Sequence, residues 1–497
     1  MARDRAIVCA VGTVGMEIQR RGFFEKELDF RISRSYGPGR YDTAFEQKGR
    51  DYPIGYVRWT ETRNMEAFLE LLATSKIGVE PMITHRIPVE RSLEAYDLIQ
   101  GAPAEPAMGV LITYPRTDAE PDSRVTIRAV KSSRSLSKDA VNLGVIGAGS
   151  FAMGTLLPAI KEAGGVEFAG VCTATGPRAQ HAAKKFGFRY CTTDADDILR
   201  DPEVDTVLIA TRHDLHARQT VAALKAAKHV FCEKPLCLTE VELTDVAIAE
   251  AQADRCAVMI GFNRRFSPMA LKLKDFFAEV QEPLILNYRV NAGFLEAKHW
   301  TQDPEEGGGR ILGEACHFVD SLTFLAGALP VRVQTRALAS SSLYSDDNFT
   351  IHLDFANGSQ GTITYAANGD KGFSKERVEV FGGGGVGVLE DFRDLELCRG
   401  GKKKTERSRL RQDKGHEAEW KAFVKSLKSG EPFAIPFEEI IAVSLATLRA
   451  LDSRRSGEPV KVDAAAFLAT ALAHSGSHSD VHSDVRSDVH SEEGRPA

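Results

Sequence analysis

Apolar and polar positions alternate in blocks through the middle of the chain. Residues 141–146, 204–210 and 228–232 are mostly apolar and rich in β-branched side chains, which is typical of strands buried on both faces of a parallel sheet. The stretch after residue 152 and residues 217–228 instead show the apolar spacing of helices. This alternation of strand, loop and helix predicts an α/β domain.

The first 114 residues show a second, smaller pattern of this kind. Residues 5–12 resemble a strand that ends at a glycine turn, and residues 28–35 alternate in polarity like another strand. Residues 64–73 and 92–99 have helical spacing. The pattern predicts a separate α/β segment over residues 1–114.

Residues 115–140 and the C-terminal repeat contain few of the apolar residues that a core requires. Residues 115–140 are rich in Ser, Arg, Asp and Pro, which predicts a linker. Residues 463–497 form a C-terminal segment that ends in a four-residue repeat from His478 to His490. Such low complexity predicts a disordered tail, whose histidines could bind a metal only if it were helical.

Composition restricts the possible partners. The 497 residues are 43% hydrophobic and 27% charged, enough for the cores of two or three domains. A net charge of −6 without a long basic tract argues against nucleic acid. No apolar run approaches the ~18 residues of a membrane span. Eight cysteines without a Cys-x-x-Cys pair predict a cytoplasmic protein without disulfides or a bound metal.

The strand at 141–146 ends in a glycine-rich turn that suits a phosphate ligand. Gly147 and Gly149 let the backbone approach a pyrophosphate, and the following helix start offers free N–H groups. Many tight turns use such glycines for structure alone, but here the strand and the helix that a dinucleotide site requires are both present. We therefore expect NAD or NADP to contact Gly147, Gly149, Ser150, Phe151 and Ala152.

Two further strand ends converge on the same predicted crevice. Ligands of an open parallel sheet bind beyond the carboxyl ends of its strands. The run at 204–210 is followed by Thr211, His213 and His216, and the run at 228–232 by Glu233 and Lys234. A loop lysine is more often a solvated surface cation, but three strand ends at one crevice favour a functional role.

Together these motifs resemble the Gfo/Idh/MocA family over residues 141–462. The resemblance implies a Rossmann NAD(P)-binding domain over residues 141–263 and an α/β domain with a large, mainly antiparallel sheet over residues 264–462. It implies oxidoreductase chemistry on polyols, sugars or sugar derivatives, in a homo-oligomer such as a dimer or tetramer. The residues that carry it are Gly147-Ala-Gly149, Ala210 to His216, Glu233-Lys234-Pro235, Gly261 to Arg265 and Gly307 to His317.

By this resemblance Lys234 reaches the substrate oxygen, and His317 meets the same oxygen from the second domain. Many members carry an aspartate four residues before that histidine, where this chain has Gly313. Glu314 lies on the same helix face as His317 and is a candidate substitute that orients His317 or binds a sugar hydroxyl, unless it has only a surface role. We expect the sugar to be selected by Arg265, His299, Trp300, Asp303 and His317.

The choice between NAD and NADP stays open. A Rossmann strand that prefers NAD usually ends in Asp or Glu, which holds the ribose hydroxyls. The strand at 166–172 is followed instead by Thr173, with Arg178 close behind. An arginine beside the ribose suits a 2′-phosphate, so NADP is at least as plausible as NAD.

Residues 1–114 resemble the C-terminal part of a medium-chain, alcohol dehydrogenase-like protein. The zinc ligands and first glycine turn of such a protein would lie upstream of Met1, so we expect this segment to bind neither zinc nor NAD. The combination resembles bi-domain oxidoreductases of bacterial polysaccharide and amino-sugar pathways.

Three functions agree with these patterns. The first is hydride transfer between NAD(P) and a carbinol carbon of a sugar, polyol or nucleotide-sugar. The second is a redox-neutral glycosidase or eliminase that oxidises and re-reduces one carbon with tightly held NAD. The third is a dinucleotide-sensing protein without catalysis, which Gly313 and the shortened first segment would explain.

Overall fold

The protein divides into two compact units, Met1–Pro121 and Asp122–Ala497. The structure is a computed structural model that describes residues 2–12, 15–33, 37–46, 49–101, 105–114, 123–127, 140–253, 255–296, 298–339, 346–408 and 412–479.

The first unit contains two separate pairs of parallel strands. Strand β1 pairs with β2, and β3 pairs with β4. The predicted helix at 64–73 begins slightly earlier, because the Thr60 hydroxyl accepts a hydrogen bond from the Arg63 N–H at 3.4 Å and caps it. The elements are β1 (Ile7–Ala10), α1 (Arg20–Glu25), β2 (Asp29–Ile32), α2 (Thr43–Glu46), α3 (Glu61–Ala73), β3 (Ile83–Pro88), α4 (Ser92–Ile99) and β4 (Gly109–Thr113).

The second unit begins with a seven-stranded sheet in the order β11-β10-β9-β6-β7-β8-β5. Its strands are parallel except for β5 at the edge. The apolar runs predicted as strands form β6, β9 and β10, with helices between them. The elements are β5 (Arg124–Thr126), β6 (Val141–Ile146), α5 (Leu157–Ala163), β7 (Val166–Cys172), α6 (Gly176–Phe186), β8 (Tyr190–Thr192), α7 (Ala195–Leu199), β9 (Thr206–Ile209), α8 (His213–Lys225), β10 (His229–Cys232), α9 (Glu240–Ala251) and β11 (Val258–Ile260).

The linker predicted over 115–140 is wrong for part of its length. Residues 124–126 form β5, which pairs antiparallel with β8. The Arg124 guanidinium lies 3.6 Å from the centre of the Tyr190 ring and forms an ion pair with Asp201 at 3.0 Å. Residues 115–122 and 128–139 lie outside the described residues.

A nine-stranded sheet follows, in the order β19-β18-β17-β16-β12-β15-β14-β13-β20. Strands β12 and β15 pair in parallel and the other neighbours are antiparallel, so the prediction of a mainly antiparallel sheet is confirmed. The elements are α10 (Pro268–Phe276), β12 (Ile285–Asn291), α11 (Cys316–Ala326), β13 (Pro330–Ala337), β14 (Phe349–Phe355), β15 (Gln360–Ala366), β16 (Glu376–Gly382), β17 (Gly385–Glu390), β18 (Asp394–Arg399) and β19 (Lys402–Arg407).

The chain then returns to the first sheet of this unit. Helix α12 packs on α5, and α14 packs on α9. Trp420 of α12 stacks on Phe231 of β10 with ring centres 4.5 Å apart. Helix α14 forms the start of the C-terminal segment and includes His478 and Ser479 of the predicted disordered tail, while residues 480–497 lie outside the described residues. The elements are α12 (His416–Ser429), α13 (Phe437–Ser456), β20 (Val460–Lys461) and α14 (Ala464–Ser479).

No helix of the described residues combines the length and the apolar character that crossing a membrane requires.

Candidate active site

A cavity of about 1020 Å³ lies beyond the carboxyl ends of β6, β7, β9 and β10. Strand β6 has β7 on one side and β9 on the other, which is the switch point where open α/β sheets bind ligands. The volume lies at the upper end of the roughly 300–1000 Å³ of small-molecule pockets. Its wall contains all the predicted cofactor residues: Gly147, Gly149, Ser150, Phe151, Ala152, Thr173, Arg178, Thr211, His213, His216, Glu233 and Lys234.

The two glycines of the turn after β6 have different functions. Gly147 has φ +94°, and a Cβ atom there would lie 2.5 Å from the carbonyl oxygen of Ala210, so the packing of the two loops requires a glycine. A Cβ at Gly149 would meet no atom within 4 Å. The cavity-facing backbone at Gly149 is therefore open to a ligand, and the wide helical turn Ala152–Leu156 begins just beyond it. This arrangement fits a dinucleotide pyrophosphate.

The end of β7 carries no acidic side chain at the cavity. The Thr173 hydroxyl donates a hydrogen bond to the carbonyl oxygen of Thr175 at 2.9 Å. Arg178 lies in the first turn of α6, exposed on the cavity wall. A guanidinium is thus the charged group nearest in sequence to the predicted ribose position.

Lys234 reaches across the cavity to the second domain. Its Nζ donates a hydrogen bond to the carbonyl oxygen of Gly313 at 2.8 Å. A Cβ at position 313 would lie 3.1 Å from both the carbonyl oxygen of Gly307 and the Cε1 of His213. The glycine that replaces the expected aspartate is therefore closely packed, and its backbone oxygen holds the lysine.

His213 and His216 line the cavity, but the Nδ1 atoms of their rings form hydrogen bonds with the backbone. The Nδ1 of His213 donates to the carbonyl oxygen of Gly307 at 2.8 Å, and that of His216 donates to Pro235 at 2.7 Å. Burial, reinforced by the charge of Lys234, lowers the pKa of His213 to about 3, and burial also lowers the pKa of His216. Both rings are neutral and fasten the loops around the cavity.

His317, in the first turn of α11, is also neutral. Burial lowers its pKa well below the usual value, and the positive charges of Arg264 and Lys234 lower it further. Its Nδ1 is buried without a hydrogen-bond partner. The ring therefore has an unused polar atom within a polar site.

Glu314 does not orient His317. Its carboxylate accepts hydrogen bonds from Arg310 Nη1 and from the Tyr365 hydroxyl, each at 2.8 Å. Burial alone would raise the pKa of Glu314, but the charges of Lys234 and Arg310 outweigh it and the pKa is lowered. Because 31% of the side chain is accessible on the cavity wall, a contact with a sugar hydroxyl stays a prediction.

The expected sugar contacts divide into two groups. His299 and Trp300 line the cavity, and the Trp300 ring meets His213 edge-on at 4.8 Å. Arg265 lies elsewhere, because its buried guanidinium pairs with Asp320 and Glu439. Asp303 is exposed, and its Oδ1 accepts from the N–H groups of Glu305 and Glu306 at 2.8 and 3.1 Å.

The wall residues that the sequence predictions missed include three with ionisable side chains: Arg264, Lys414 and His416. Arg264 precedes Arg265 within a recognised motif, so the motif marked the correct turn but not the correct side chain. Lys414 and His416 carry no local signal, because they follow β19 far downstream in the sequence. The His416 ring lies 5.9 Å from the ring of Phe151 in the glycine turn.

Among the side chains that the structure describes, no three His, Cys, Asp or Glu residues are grouped so that they could hold a metal ion.

Two stretches of this unit match known protein families. Residues 141–262 match the oxidoreductase family with the NAD-binding Rossmann fold, and residues 282–386 match the GFO/IDH/MocA C-terminal domain. These matches confirm the predicted dinucleotide-binding domain. They do not include residues 1–114, whose likeness to medium-chain dehydrogenases stays a prediction.

Individual relatives are enzymes named for sugars and polyols. The 1,5-anhydro-D-fructose reductase of Ensifer adhaerens is 32% identical over 188 residues, 37% of this chain and 55% of that protein. The Myo-inositol 2-dehydrogenase of Thermotoga maritima is 27% identical over 303 residues, 56% of this chain and 87% of that protein. A levoglucosan dehydrogenase solved with NADH and levoglucosan has the same fold, with a TM-score of 0.59 and 22% identity over 65% of this chain and 99% of its own.

Proposed function

We propose that this protein transfers a hydride between NAD(P) and a carbinol carbon of a sugar, polyol or nucleotide-sugar, because residues 141–262 and 282–386 match the two domain models of the Gfo/Idh/MocA oxidoreductase family. One observation carries the proposal. Lys234 of the Rossmann domain and His317 of the second domain lie on the wall of the same cavity as the glycine turn. Relatives named for anhydrofructose and myo-inositol support a carbohydrate substrate.

The cofactor site is built by the Rossmann domain. The backbone N–H groups from Gly149 to Ala152 would hold the pyrophosphate, and Arg178 would pair with a 2′-phosphate of NADP. When bound, the nicotinamide supplies or accepts the hydride. The absence of an acidic side chain after β7 supports NADP at least as well as NAD.

Lys234 and His317 would act on the substrate hydroxyl. The bond to the Gly313 carbonyl uses one N–H of the Lys234 ammonium group and leaves two for a substrate oxygen. The neutral imidazole of His317 can accept a hydroxyl proton as the carbinol is oxidised and return it in the reverse direction. Both groups would thus act on the same proton, that of the substrate hydroxyl.

Replacement of Lys234 by Met tests this function. We expect kcat/KM to fall by about 10²- to 10⁴-fold, the usual contribution of an acid-base group, while the melting temperature changes little. The assay follows NAD(P)H absorbance over a panel of sugars and polyols.

The matched control is Lys225→Met, an exposed lysine at the end of α8, which should retain activity. A Lys234→Met, His317→Ala double variant should lose less than the product of the single losses, because both groups act on one proton. Normal turnover of Lys234→Met would show that the assignment is wrong. Cofactor binding by wild type without turnover on any sugar would favour a sensing protein.

A further inference from the structure

Two cations on the wall of the cavity share a single buried carboxylate. The Glu376 carboxylate accepts hydrogen bonds from Arg264 at 2.7 and 3.1 Å and from Lys414 Nζ at 2.6 Å. The Tyr288 hydroxyl, which is neutral, donates to it at 2.7 Å. Two positive charges on one negative charge leave one positive charge without a counterion. We call Arg264, Glu376 and Lys414 the cationic cluster.

Backbone contacts fix the position of Lys414. Asn263 donates to the carbonyl oxygen of Lys414 and Ser267 to that of Asp413, both at 2.8 Å. Gly415 has φ +89°, and a Cβ there would lie 2.4 Å from the carbonyl oxygen of Asn263. The segment that carries Lys414 is therefore closely packed against the helical turn Asn263–Phe266. The backbone of Lys414 is therefore held in a fixed position on the cavity wall.

Among the described residues, Glu376 is the only carboxylate within ion-pair distance of Arg264 and Lys414, and Glu233, a carboxyl group that also interacts with Arg264, has its pKa raised to about 7 by burial. His317 and His416 are neutral, because burial and the nearby cations lower the pKa of His317 well below its usual value and that of His416 to about 4. The Glu314 carboxylate is held by Arg310 and Tyr365. Asp413 is exposed, and its Oδ1 accepts the N–H of Gly415. The surplus charge faces the cavity, where Arg264 and Lys414 keep 10% and 19% of their side chains accessible.

We propose that the substrate is a sugar acid whose carboxylate binds at the cationic cluster through Lys414 and Arg264. This inference rests on the proposed function and names the substrate class of the same site. A partly buried charge without a partner is costly, and a carboxylate would supply the missing charge through charge-assisted hydrogen bonds.

Calorimetry on the protein saturated with NADH or NADPH tests the anion site without requiring turnover. D-Glucuronate and D-galacturonate are compared with D-glucose and D-galactose. We expect wild type to bind an acid more tightly than the matched neutral sugar. Lys414→Gln should lower this preference by about 10- to 100-fold, the usual weight of a hydrogen bond to a charged group.

Matched variants control for folding and for charge. Lys414→Gln leaves the pair of Arg264 and Glu376 balanced, and Lys414→Arg should retain the preference for the acid. Lys403→Gln removes an exposed lysine of β19 that pairs with Glu396 at 2.6 Å, and it should also retain the preference. Melting temperatures show whether each variant folds.

The outcomes separate this inference from the function on which it rests. Equal binding of acids and neutral sugars by wild type would overturn the inference and leave hydride transfer intact. A loss of NADH affinity in Lys414→Gln, with the sugar preference unchanged, would assign the lysine to the cofactor phosphates and also overturn it. Binding of the acid without turnover would contradict the proposed function alone.

Discussion

Glu233 brings a carboxyl group into the protein interior directly after β10 and before Lys234. Only 7% of the residue is accessible. Burial raises the pKa of Glu233 to about 7 from an ordinary value of 4.5, although the charge of Lys234 opposes the shift. The cofactor-free protein therefore holds a proton on this group up to neutral pH.

Replacement of Glu233 by Gln should stabilise the cofactor-free protein at alkaline pH. Because the pKa is raised on folding, the stabilising contribution of Glu233 is fully present below pH 4.5 and is lost as the pH rises through 7. Each pKa unit corresponds to about 1.4 kcal/mol. We expect the free energy of unfolding of Glu233→Gln relative to wild type to be about 2 kcal/mol more favourable at pH 8 than at pH 5, measured by urea denaturation.

The control is Glu305→Gln. This glutamate is exposed, so the substitution removes a charge from the surface, whereas Glu233→Gln acts on a buried carboxyl group. Its stability relative to wild type should be the same at both pH values. Equal effects of the two variants would show that Glu233 is ionised in the native state throughout this range.

Single residues show where sequence motifs stop being informative. Lys234 could be predicted because it ends an apolar strand and precedes a proline. The two adjacent arginines could not be told apart, since a tight helical turn sends Arg264 toward Glu376 and Arg265 toward Asp320. Lys414 could not be found at all, because its position depends on packing against Asn263 from a distant part of the chain.

At the scale of elements, the turn between β6 and α5 allows a test of cofactor binding that spares the fold. A Cβ at Gly149 meets no protein atom, so a larger side chain would project into the cavity without disturbing the packing. We expect Gly149→Val to weaken NADH and NADPH binding by about 10- to 100-fold through steric exclusion, measured by calorimetry, with little change in melting temperature.

Gly154→Val is the matched control. A Cβ at Gly154 also meets no atom within 4 Å, and the residue lies in the turn Ala152–Leu156 but not on the cavity wall. This variant should bind both dinucleotides normally. Equal losses in the two variants would attribute the effect to the helix and not to the ligand.

Elements with long apolar runs were predictable, and short edge elements were not. Strands β6, β9 and β10 are buried along nearly all of their length, so their sequences are continuous apolar runs. Strand β5 has three residues and pairs with a strand of equal length. So short a segment, within a stretch rich in Ser, Arg and Asp, shows no periodicity that could be recognised.

At the scale of the whole molecule, the order of the two large domains could be predicted, but the boundary before them could not. The unit that contains the cavity begins at Asp122 and not at Val141. The cofactor site and the cationic cluster both lie within this unit.

Two truncations locate the true boundary. Removal of residues 1–121 should leave NAD(P)H affinity unchanged, because the Rossmann sheet and the cavity wall stay complete. Removal of residues 1–140 also deletes β5 and its backbone pairing with β8. The ion pair of Arg124 with Asp201 and the contact of Arg124 with the Tyr190 ring are lost with it. We expect this shorter protein to be less stable by ~1 to 3 kcal/mol, the weight of a lost charge-assisted hydrogen bond and a cation–π contact. Urea denaturation measures the stability of the two truncations, and calorimetry with NADH measures their cofactor affinity.

Two outcomes would contradict these predictions. If both truncations were equally stable, β5 would contribute nothing to the fold. If removal of residues 1–121 abolished binding, the first unit would belong to the cofactor site.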